Sequence, residues 1–219
     1  MKIGVLGATG PAGSALAVRL ASVGYEVVVG SRSKYKALEV RDKLCDKWSD
    51  RDLPIEAGAN EDAADSDVCV IATPWDSASA VAASVAKQLD GKVVISIANA
   101  LVRVGSEFQP LVPPRGSVAA NVQAAIPKSY VAAAFHHVPA KELGDLNEPV
   151  DFDVLICSDH PAATNTTIDI VRRIPHMRPL DAGQLSNAAP IEAFTAVLLQ
   201  LNVRYKTRAA LKLTGIDAE

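Results

Sequence analysis

Three side chains shortly after residue 30 have the types and spacing needed to hold a dianionic phosphate. Ser31 supplies a hydroxyl, Arg32 a guanidinium and Lys36 an ammonium group. An arginine fork forms paired hydrogen bonds with phosphate oxygens, and a hydroxyl beside it adds another donor. The alternative is a solvated helix start. Helix stability does not explain these residues, however, because basic side chains at the N-terminal end of a helix oppose its dipole.

The chain opens with a glycine-rich segment that is typical of a strand turning directly into a helix. The apolar residues 2–6 are followed by Gly7-Ala8-Thr9-Gly10-Pro11-Ala12-Gly13. Gly10 and Gly13 match the last two glycines of G-x-G-x-x-G, while an alanine occupies the first position. Glycines alone are a weak signal, because any such turn favours them. Their place at the first strand–helix junction predicts a helix N-terminus that offers backbone N–H groups to a pyrophosphate.

The second predicted strand, residues 26–29, ends without the acidic residue that binds the ribose hydroxyls in NAD-dependent proteins. Gly30-Ser31-Arg32 occupies that position, and Lys34 and Lys36 follow. A carboxylate would repel a ribose 2′-phosphate, whereas a hydroxyl and positive charges bind it. The sequence therefore predicts NADP(H) as the cofactor rather than NAD(H).

Polar residues also follow other predicted strands. These residues are Thr73 and Pro74 after strand 68–72, Asn99 after strand 92–97, and His136 after strand 130–134. Ligands of open α/β sheets bind beyond the carboxyl ends of the strands, so we expect these side chains near a ligand. Ordinary loop chemistry is the alternative. Because His136 and His137 have no acid or cysteine close by, they form a poor metal site, and no metal is predicted.

Ser186 and Asn187 stand at the start of a long helix rich in alanine and leucine, predicted over residues 185–205. Both residue types are common helix caps. The alternative is that they present a hydroxyl and an amide to a polar ring.

Composition bounds the class of protein. Of 219 residues, 49% are hydrophobic but only 5% aromatic, which favours a parallel α/β sheet over a β-sandwich. The formal net charge of −3 argues against nucleic acid as the main partner. Three widely spaced cysteines form neither CxxC nor a zinc pattern, so a cytoplasmic protein with reduced thiols is expected. No stretch predicts a signal peptide or a membrane span, and no membrane partner is expected.

The candidate site requires a sheet whose strands end at one edge. Apolar strands alternate with helices in a βαβαβ order over the first part of the chain, which is typical of a doubly wound sheet. After residue 135 the sequence predicts a strand at 152–157, a helix at 162–174, the long helix and a short basic C-terminal helix. We therefore predict an α/β fold, a Rossmann-type doubly wound parallel sheet with a smaller, mostly helical C-terminal part. The predicted domains are 1–135, which binds NADP, and the smaller part 136–219.

Six segments form a distinctive combination along nearly the whole chain. They are Gly7-x-Thr9-Gly10-x-x-Gly13, Val28-Val29-Gly30-Ser31-Arg32, Pro74-Trp75, His136 with Val138-Pro139-Ala140, Phe152-Asp153, and Arg178-Pro179-Leu180-Asp181-Ala182-Gly183-x-Leu185-Ser186-Asn187. Together they resemble the NADPH-dependent reductases of the deazaflavin coenzyme F420. The last segment is the most specific, since a generic dinucleotide-binding protein has no reason to carry it.

The resemblance implies an oxidoreductase that transfers a hydride directly between NADP(H) and coenzyme F420, its co-substrate. It also implies a homodimer or higher homo-oligomer whose other partners are small molecules. By match of position, it implies these cofactor-binding residues: Thr9, Gly10, Pro11, Ala12, Ser31, Arg32, Lys36, Thr73, Pro74, Asn99, Leu101, Ala140 and Asn187. His136 and Ser186 are implied as the catalytic residues beside the hydride path.

Two other functions remain compatible with the same residues. An NADP-dependent reductase of another small acceptor, such as a carbonyl, an imine or a flavin, would normally need a positioned Lys, Tyr or His acid. Tyr-x-x-x-Lys is absent, and His136 is the only good candidate. A non-catalytic NADP-sensing module would bind the cofactor without turnover, and the Ser186-Asn187 segment argues against it.

Overall fold

The structure is a computed structural model, and it describes residues 1–216. This part of the chain contains an eight-stranded sheet in the order β10-β9-β8-β5-β4-β1-β2-β3 and a separate hairpin of β6 and β7. The strands are β1 (Lys2–Leu6), β2 (Glu26–Ser31), β3 (Ile55–Ala59), β4 (Val68–Ile71), β5 (Val93–Ser96), β6 (Leu101–Val104), β7 (Glu107–Pro110), β8 (Tyr130–Ala133), β9 (Asp153–Ser158) and β10 (Arg178–Asp181).

Helices cover both faces of this sheet. They are α1 (Pro11–Ser22), α2 (Lys34–Lys47), α3 (Asn60–Ala64), α4 (Trp75–Ser84), α5 (Ala86–Leu89), α6 (Val118–Ala125), α7 (Ala140–Leu143), α8 (Pro161–Arg172) and α9 (Ala188–Tyr205). Ile3 and Val5 of β1 lie in the core with α1 and α8, whereas Leu6 lies in the core with α4 and α6. Successive side chains of a strand alternate between faces, so two cores on one strand confirm the doubly wound fold.

Six strands of the sheet, from β3 across to β8, run parallel to one another. β9 pairs with β8 antiparallel, and β10 then runs parallel to β9. β9 and β10 therefore run in the opposite direction to the other six strands, and Asp181 at the end of β10 is level with Ala134 just after β8. The loop before β9 is tied to α1, because Arg19 donates hydrogen bonds to the carbonyl oxygens of Leu143 (2.8 Å) and Asp145 (2.6 Å). The chain thus returns without crossing back over the sheet.

Helix α3 lies directly on the sheet because three neighbouring strands carry glycine beneath it. A Cβ on Gly4 would lie 1.8 Å from the carbonyl oxygen of Ala63, and one on Gly30 would lie 2.6 Å from the Ala63 Cβ. A Cβ on Gly58 would likewise lie 2.6 Å from the Asp62 Cβ. Any side chain at these positions would push α3 away. The close contact brings Asn60, the first residue of α3, to the carboxyl edge of the sheet.

The short basic helix predicted after Tyr205 is wrong for residues 206–216, which are irregular, and residues 217–219 lie outside the described part. α9 ends at Tyr205, and the next residue, Lys206, has a left-handed φ of 50°. The following segment is held along the sheet by Asp153, whose fully buried carboxylate accepts hydrogen bonds from Arg178 (2.6 and 2.9 Å) and from the Leu213 N–H (2.6 Å). Burial opposes ionisation, but the hydrogen bonds from Arg178 and Leu213 outweigh it and lower the pKa of Asp153.

Candidate dinucleotide site

The glycine-rich turn is closed by backbone hydrogen bonds on both sides. The Gly7 N–H donates to the Gly30 carbonyl oxygen (3.2 Å), and the Gly10 N–H donates to that of Gly7 (3.2 Å). Gly7 has a φ of 80°, and a Cβ there would lie 2.5 Å from Cγ2 of Thr73. Gly7 therefore supplies both the left-handed conformation and the space that the turn needs. Ala8, at the first motif position, is fully buried in the core.

The N-terminus of α1 is open to a ligand. Its N-cap, Gly10, makes no side-chain cap, and the first turn carries no acidic residue. Gly13 allows α1 to approach the turn, since a Cβ there would lie 2.8 Å from Cα of Ala8. Thr9, Pro11 and Ala12 are exposed around this helix end. The unpaired N–H groups and the helix dipole make this a binding position for an anion.

The end of β2 concentrates positive charge beside that helix end. Ser31 is buried, and its Oγ accepts a hydrogen bond from the Ser33 N–H (3.3 Å). Arg32 and Lys36 are exposed and form no ion pair with any described residue. α2 has no acidic residue in its first turn. The predicted cations are therefore free to bind a ligand.

Two adjoining cavities bring most of the predicted residues together at the carboxyl edge. The first has a volume of about 600 Å³ and is bordered by seven of them: Thr9, Gly10, Ser31, Arg32, Lys36, Thr73 and Pro74. The second has a volume of about 310 Å³ and is bordered by five: Ala12, Thr73, Pro74, Asn99 and Leu101. Because Thr73 and Pro74 belong to both, the cavities form one groove across the ends of β2, β1, β4 and β5. Cavities of this size are typical of cofactor sites.

Asn99 connects three elements at the far end of the groove. Its Nδ2 donates to the carbonyl oxygen of His136 (2.8 Å), and its Oδ1 accepts from the Thr195 hydroxyl (3.3 Å). α9 is fixed in turn by Glu192, whose carboxylate accepts the N–H groups of Val118 (2.8 Å) and Ala119 (3.1 Å) at the start of α6. The amide of Asn99 is therefore held in one orientation.

His136 is buried, with 5% of its surface exposed, and borders neither cavity. Neither ring nitrogen has a hydrogen-bond partner in the described part of the chain. Burial, and to a lesser extent the neighbouring His137, lowers the pKa of His136 to about 3. The ring is therefore neutral at ordinary pH. It follows Phe135, whose φ of 61° is left-handed, an uncommon conformation for a bulky residue that often marks functional sites.

His137 has a different environment from its neighbour. Its Nε2 accepts a hydrogen bond from the Leu155 N–H of β9 (3.2 Å), and burial lowers its pKa to about 4. This pairing gives His137 a structural role between the loop after β8 and strand β9.

The remaining predicted residues lie outside the two cavities. Pro11 is the first residue of α1, and Ala140 is the half-buried first residue of α7. Ser186 and Asn187 are exposed in a short 3-10 turn after β10, where the Asn187 Nδ2 donates to the Ala182 carbonyl oxygen (2.7 Å).

Within one copy of the chain, Ser186 and Asn187 border neither cavity of the groove. Asn187 precedes Thr195, which contacts Asn99, by a helical distance of about 12 Å along α9. The register of β9 places Ile156, and with it Asp181 at the end of β10, level with Ala134 just after β8. Leu185 and Ala188, which flank these two residues, pack against Ala133 and Ala119. Ser186 and Asn187 thus lie beside the end of β8, without a hydrogen bond to Asn99 or His136 among the described residues.

Sequence reasoning missed several residues of the groove, of which Asn60, Ser77 and Val81 border the first cavity. Asn60 is of interest because its Oδ1 is buried without a hydrogen-bond partner, as is Oγ1 of Thr73. Of the nine such atoms in the described residues, four belong to Asn60, Thr73 and His136. Unpaired buried polar atoms are costly, so the two that belong to residues bordering the first cavity, Asn60 Oδ1 and Thr73 Oγ1, indicate a place for a ligand; His136 lies outside both cavities.

The described residues, 1–216, contain neither a candidate membrane-spanning helix nor a candidate metal cluster. No helix there is long and apolar enough to cross a bilayer. No group of three or more His, Cys, Asp or Glu side chains lies close enough together to hold a metal ion.

The fold and the groove define a dinucleotide-binding α/β protein of the oxidoreductase type. The sequence model of "NADP oxidoreductase coenzyme F420-dependent" matches residues 2–100. The F420-dependent NADP reductase of Methanocaldococcus jannaschii is 35% identical over 99% of this chain and 100% of its own length. The F420-dependent NADP reductase of Methanothermobacter thermautotrophicus is 34% identical over 100% of this chain and 97% of its own length. This chain belongs to the F420-dependent NADP reductase family.

A solved structure supports the same conclusion. A protein from Arthrobacter sp. FB24, itself assigned only provisionally as an F420-dependent NADP reductase, superimposes with a TM-score of 0.84 at 25% identity, covering 98% of this chain and 99% of that one. The similarity thus extends over β9, β10 and α9 as well as over the nucleotide-binding strands.

Proposed function

We propose that this protein transfers a hydride between NADP(H) and the deazaflavin coenzyme F420. The observation that carries the proposal is the continuous groove, with Ser31, Arg32 and Lys36 at one end and Asn99 and Leu101 at the other. Membership of the F420-dependent NADP reductase family supports the choice of both reactants.

The groove fits NADP(H) in one direction. The 2′-phosphate binds Ser31, Arg32 and Lys36 through charge-assisted hydrogen bonds, and the pyrophosphate binds the N-terminus of α1. The nicotinamide then lies over the ends of β4 and β5, beside Thr73 and Asn99. The unpaired hydroxyl of Thr73 lies at the middle of the groove, where a polar ligand atom would satisfy it.

The chemical step is supplied by the cofactors: a hydride passes between C4 of the nicotinamide and C5 of the deazaflavin. The chain binds the two rings, orients them and excludes water. Asn99 holds the backbone of His136 in place through its hydrogen bond to the carbonyl oxygen. The neutral ring of His136 has two free nitrogens, which suit hydrogen bonds to ring substituents rather than acid–base catalysis.

The deazaflavin site includes Ser186 and Asn187 in this proposal, with residues 1–135 binding NADP(H) and residues 136–219 serving F420 and oligomerisation. The chain forms a homo-oligomer in this proposal. Leu185 and Ala188, which flank Ser186 and Asn187, pack against Ala133 at the end of β8 in the same copy, so one copy can supply these residues. A cytoplasmic location is part of this proposal, since Cys45, Cys69 and Cys157 form no disulfide with one another and thiols stay reduced in that compartment.

The exposed face of α9 is the surface that the homo-oligomer would cover. Phe194, Val197, Leu201 and Tyr205 are exposed to between 37% and 68% and recur at helical spacing along one side of α9. We expect a dimer by light scattering coupled to size-exclusion chromatography. Val197→Glu should yield monomers, because a charge would be buried at the contact. Lys87→Glu, on α5 away from this face, is the control. A monomeric wild-type protein would contradict the proposal.

The direct test of function is a spectrophotometric assay. Purified protein is mixed with NADPH and oxidised F420, and the visible absorbance of the deazaflavin is followed. We expect rapid bleaching with NADPH and much slower bleaching with NADH. Tight NADPH binding without any bleaching would contradict F420 as the acceptor, and equal rates with both nucleotides would contradict the phosphate assignment.

A further inference from the structure

Asn60 is a polar residue in the groove that neither the glycine-rich turn nor the cluster of cations explains. It borders the first cavity with Ser31 and Arg32, and only 7% of its surface is exposed. Its Oδ1 is buried and accepts no hydrogen bond from any described residue. A buried amide oxygen without a donor is unfavourable, so its retention beside a cavity indicates that a ligand supplies the donor.

The position of Asn60 is fixed by packing. Ala59 pairs in register with Ser31, so Asn60 follows β3 next to the point where Arg32 follows β2. The Asn60 Oδ1 lies over Gly30, 3.4 Å from where a Cβ on this residue would stand, which is an ordinary contact distance. The same glycine allows α3 to rest on the sheet. The amide group therefore lies at the floor of the cavity, beside the residues that bind the 2′-phosphate.

The chemistry of the adenosine ribose shows what this amide could bind. In NAD(H) the ribose carries two hydroxyls, which a carboxylate can accept together. In NADP(H) the 2′-hydroxyl is phosphorylated and one hydroxyl donor remains. A carboxylate could still accept from it but would repel the phosphate. An uncharged amide oxygen accepts the same hydrogen bond without that repulsion.

We propose that Asn60 is a specificity-determining residue that accepts a hydrogen bond from the 3′-hydroxyl of the adenosine ribose of NADP(H). Its neutral side chain leaves the adjacent 2′-phosphate to Ser31, Arg32 and Lys36. The inference rests on the proposed function only in that the ligand is NADP(H), and it does not depend on F420.

The test replaces the amide group of Asn60 and measures nucleotide binding without turnover. Dissociation constants for NADP⁺ and NAD⁺ are determined by calorimetry for the wild type, Asn60→Asp and Asn60→Ala. We expect Asn60→Asp to weaken NADP⁺ binding by about 10-fold or more and NAD⁺ binding by less than about 2-fold, because the new charge repels only the phosphate. Asn60→Ala should weaken both by a similar factor of about 3 to 10, because both lose the same acceptor.

The control is Asn165→Asp, which makes the same change at an exposed position of α8 outside both cavities and should leave both dissociation constants unchanged. Thermal melts identify any variant that fails to fold. If Asn60→Asp does not fold, the test rests on the loss of nucleotide affinity in Asn60→Ala. Equal loss of both nucleotides in Asn60→Asp, or no change in their ratio, would overturn the inference. Wild-type protein that binds F420 but no NADP⁺ would overturn both the inference about Asn60 and the proposed function. Normal NADP⁺ binding without F420 reduction would contradict only the proposed function.

Discussion

Replacing Arg32 with alanine is expected to weaken NADPH binding by about 100-fold and NADH binding by less than about 3-fold. Arg32 borders the first cavity and has no ion-pair partner in the described residues, so its guanidinium is available to the 2′-phosphate. Charge-assisted hydrogen bonds contribute about 1.5–3 kcal/mol, which corresponds to roughly 10- to 150-fold in affinity. Quenching or enhancement of the nucleotide fluorescence measures both dissociation constants.

Two further variants make this experiment specific. Arg32→Lys keeps the charge but loses the planar fork, and we expect an intermediate loss of NADPH affinity. Lys34→Ala removes a nearby exposed charge that borders neither cavity, and it should have a small effect. If Arg32→Ala weakens NADPH and NADH equally, Arg32 does not bind the 2′-phosphate.

Replacing His136 with alanine should lower kcat by about 10- to 100-fold while leaving the protein folded. The hydrogen bond from Asn99 goes to the backbone carbonyl of His136 and survives the substitution. The lost groups are two buried ring nitrogens that have no partner in the described structure, and in the proposed function they bind substituents of the substrate ring. Stopped-flow measurement of F420 reduction, with melting curves for each variant, separates the two effects. An unfolded His136→Ala protein, or an unchanged kcat, would contradict the proposed role.

The pH dependence provides an independent check. Because the pKa of His136 is lowered to about 3, its ring stays neutral, and kcat should show no break near pH 6.5 from this residue. Stability should behave differently. Between about pH 6.5 and 4 the unfolded chain gains protons on His136 and His137 that the folded protein excludes, so the free energy of unfolding falls as the pH falls.

His137→Gln is the matched control for the neighbouring histidine. A glutamine oxygen can still accept the Leu155 N–H, and the variant should keep its kcat. Its unfolding free energy should depend less on pH than that of the wild type. A loss of kcat as large as in His136→Ala would show that the two histidines are not distinct.

The parts of the site that sequence predicted are those whose chemistry is local. The position of each predicted group follows from its local sequence. The turn at Gly7 and Gly10 directly follows β1, and Arg32 and Lys36 follow β2. Asn60 was missed because its placement depends on space left by glycines in other strands. Two acidic neighbours in α3 also conceal it, because they resemble an ordinary capped helix start.

The features of the fold that were not predicted depend on strand pairing and long-range contacts, which the hydrophobic pattern of the sequence does not specify. The apolar run of β9 is compatible with either strand direction, so its antiparallel pairing with β8 could not be predicted. That direction determines where Ser186 and Asn187 lie. The C-terminal helix was wrong because Asp153, remote in sequence, binds the segment through Arg178 and Leu213.

The sheet continues without interruption from the nucleotide-binding strands into β9 and β10, and this limits how the enzyme exchanges its ligands. Ala132 pairs with Ser158 and Ala133 with Cys157, so separating the two parts of the chain would break strand pairs. Many enzymes that close around their substrates are limited by the reopening of a cleft. Within residues 1–216 no hinge separates these strands. We therefore expect the residence times of both ligands to depend on surface groups at the mouth of the groove, with no large domain movement during turnover.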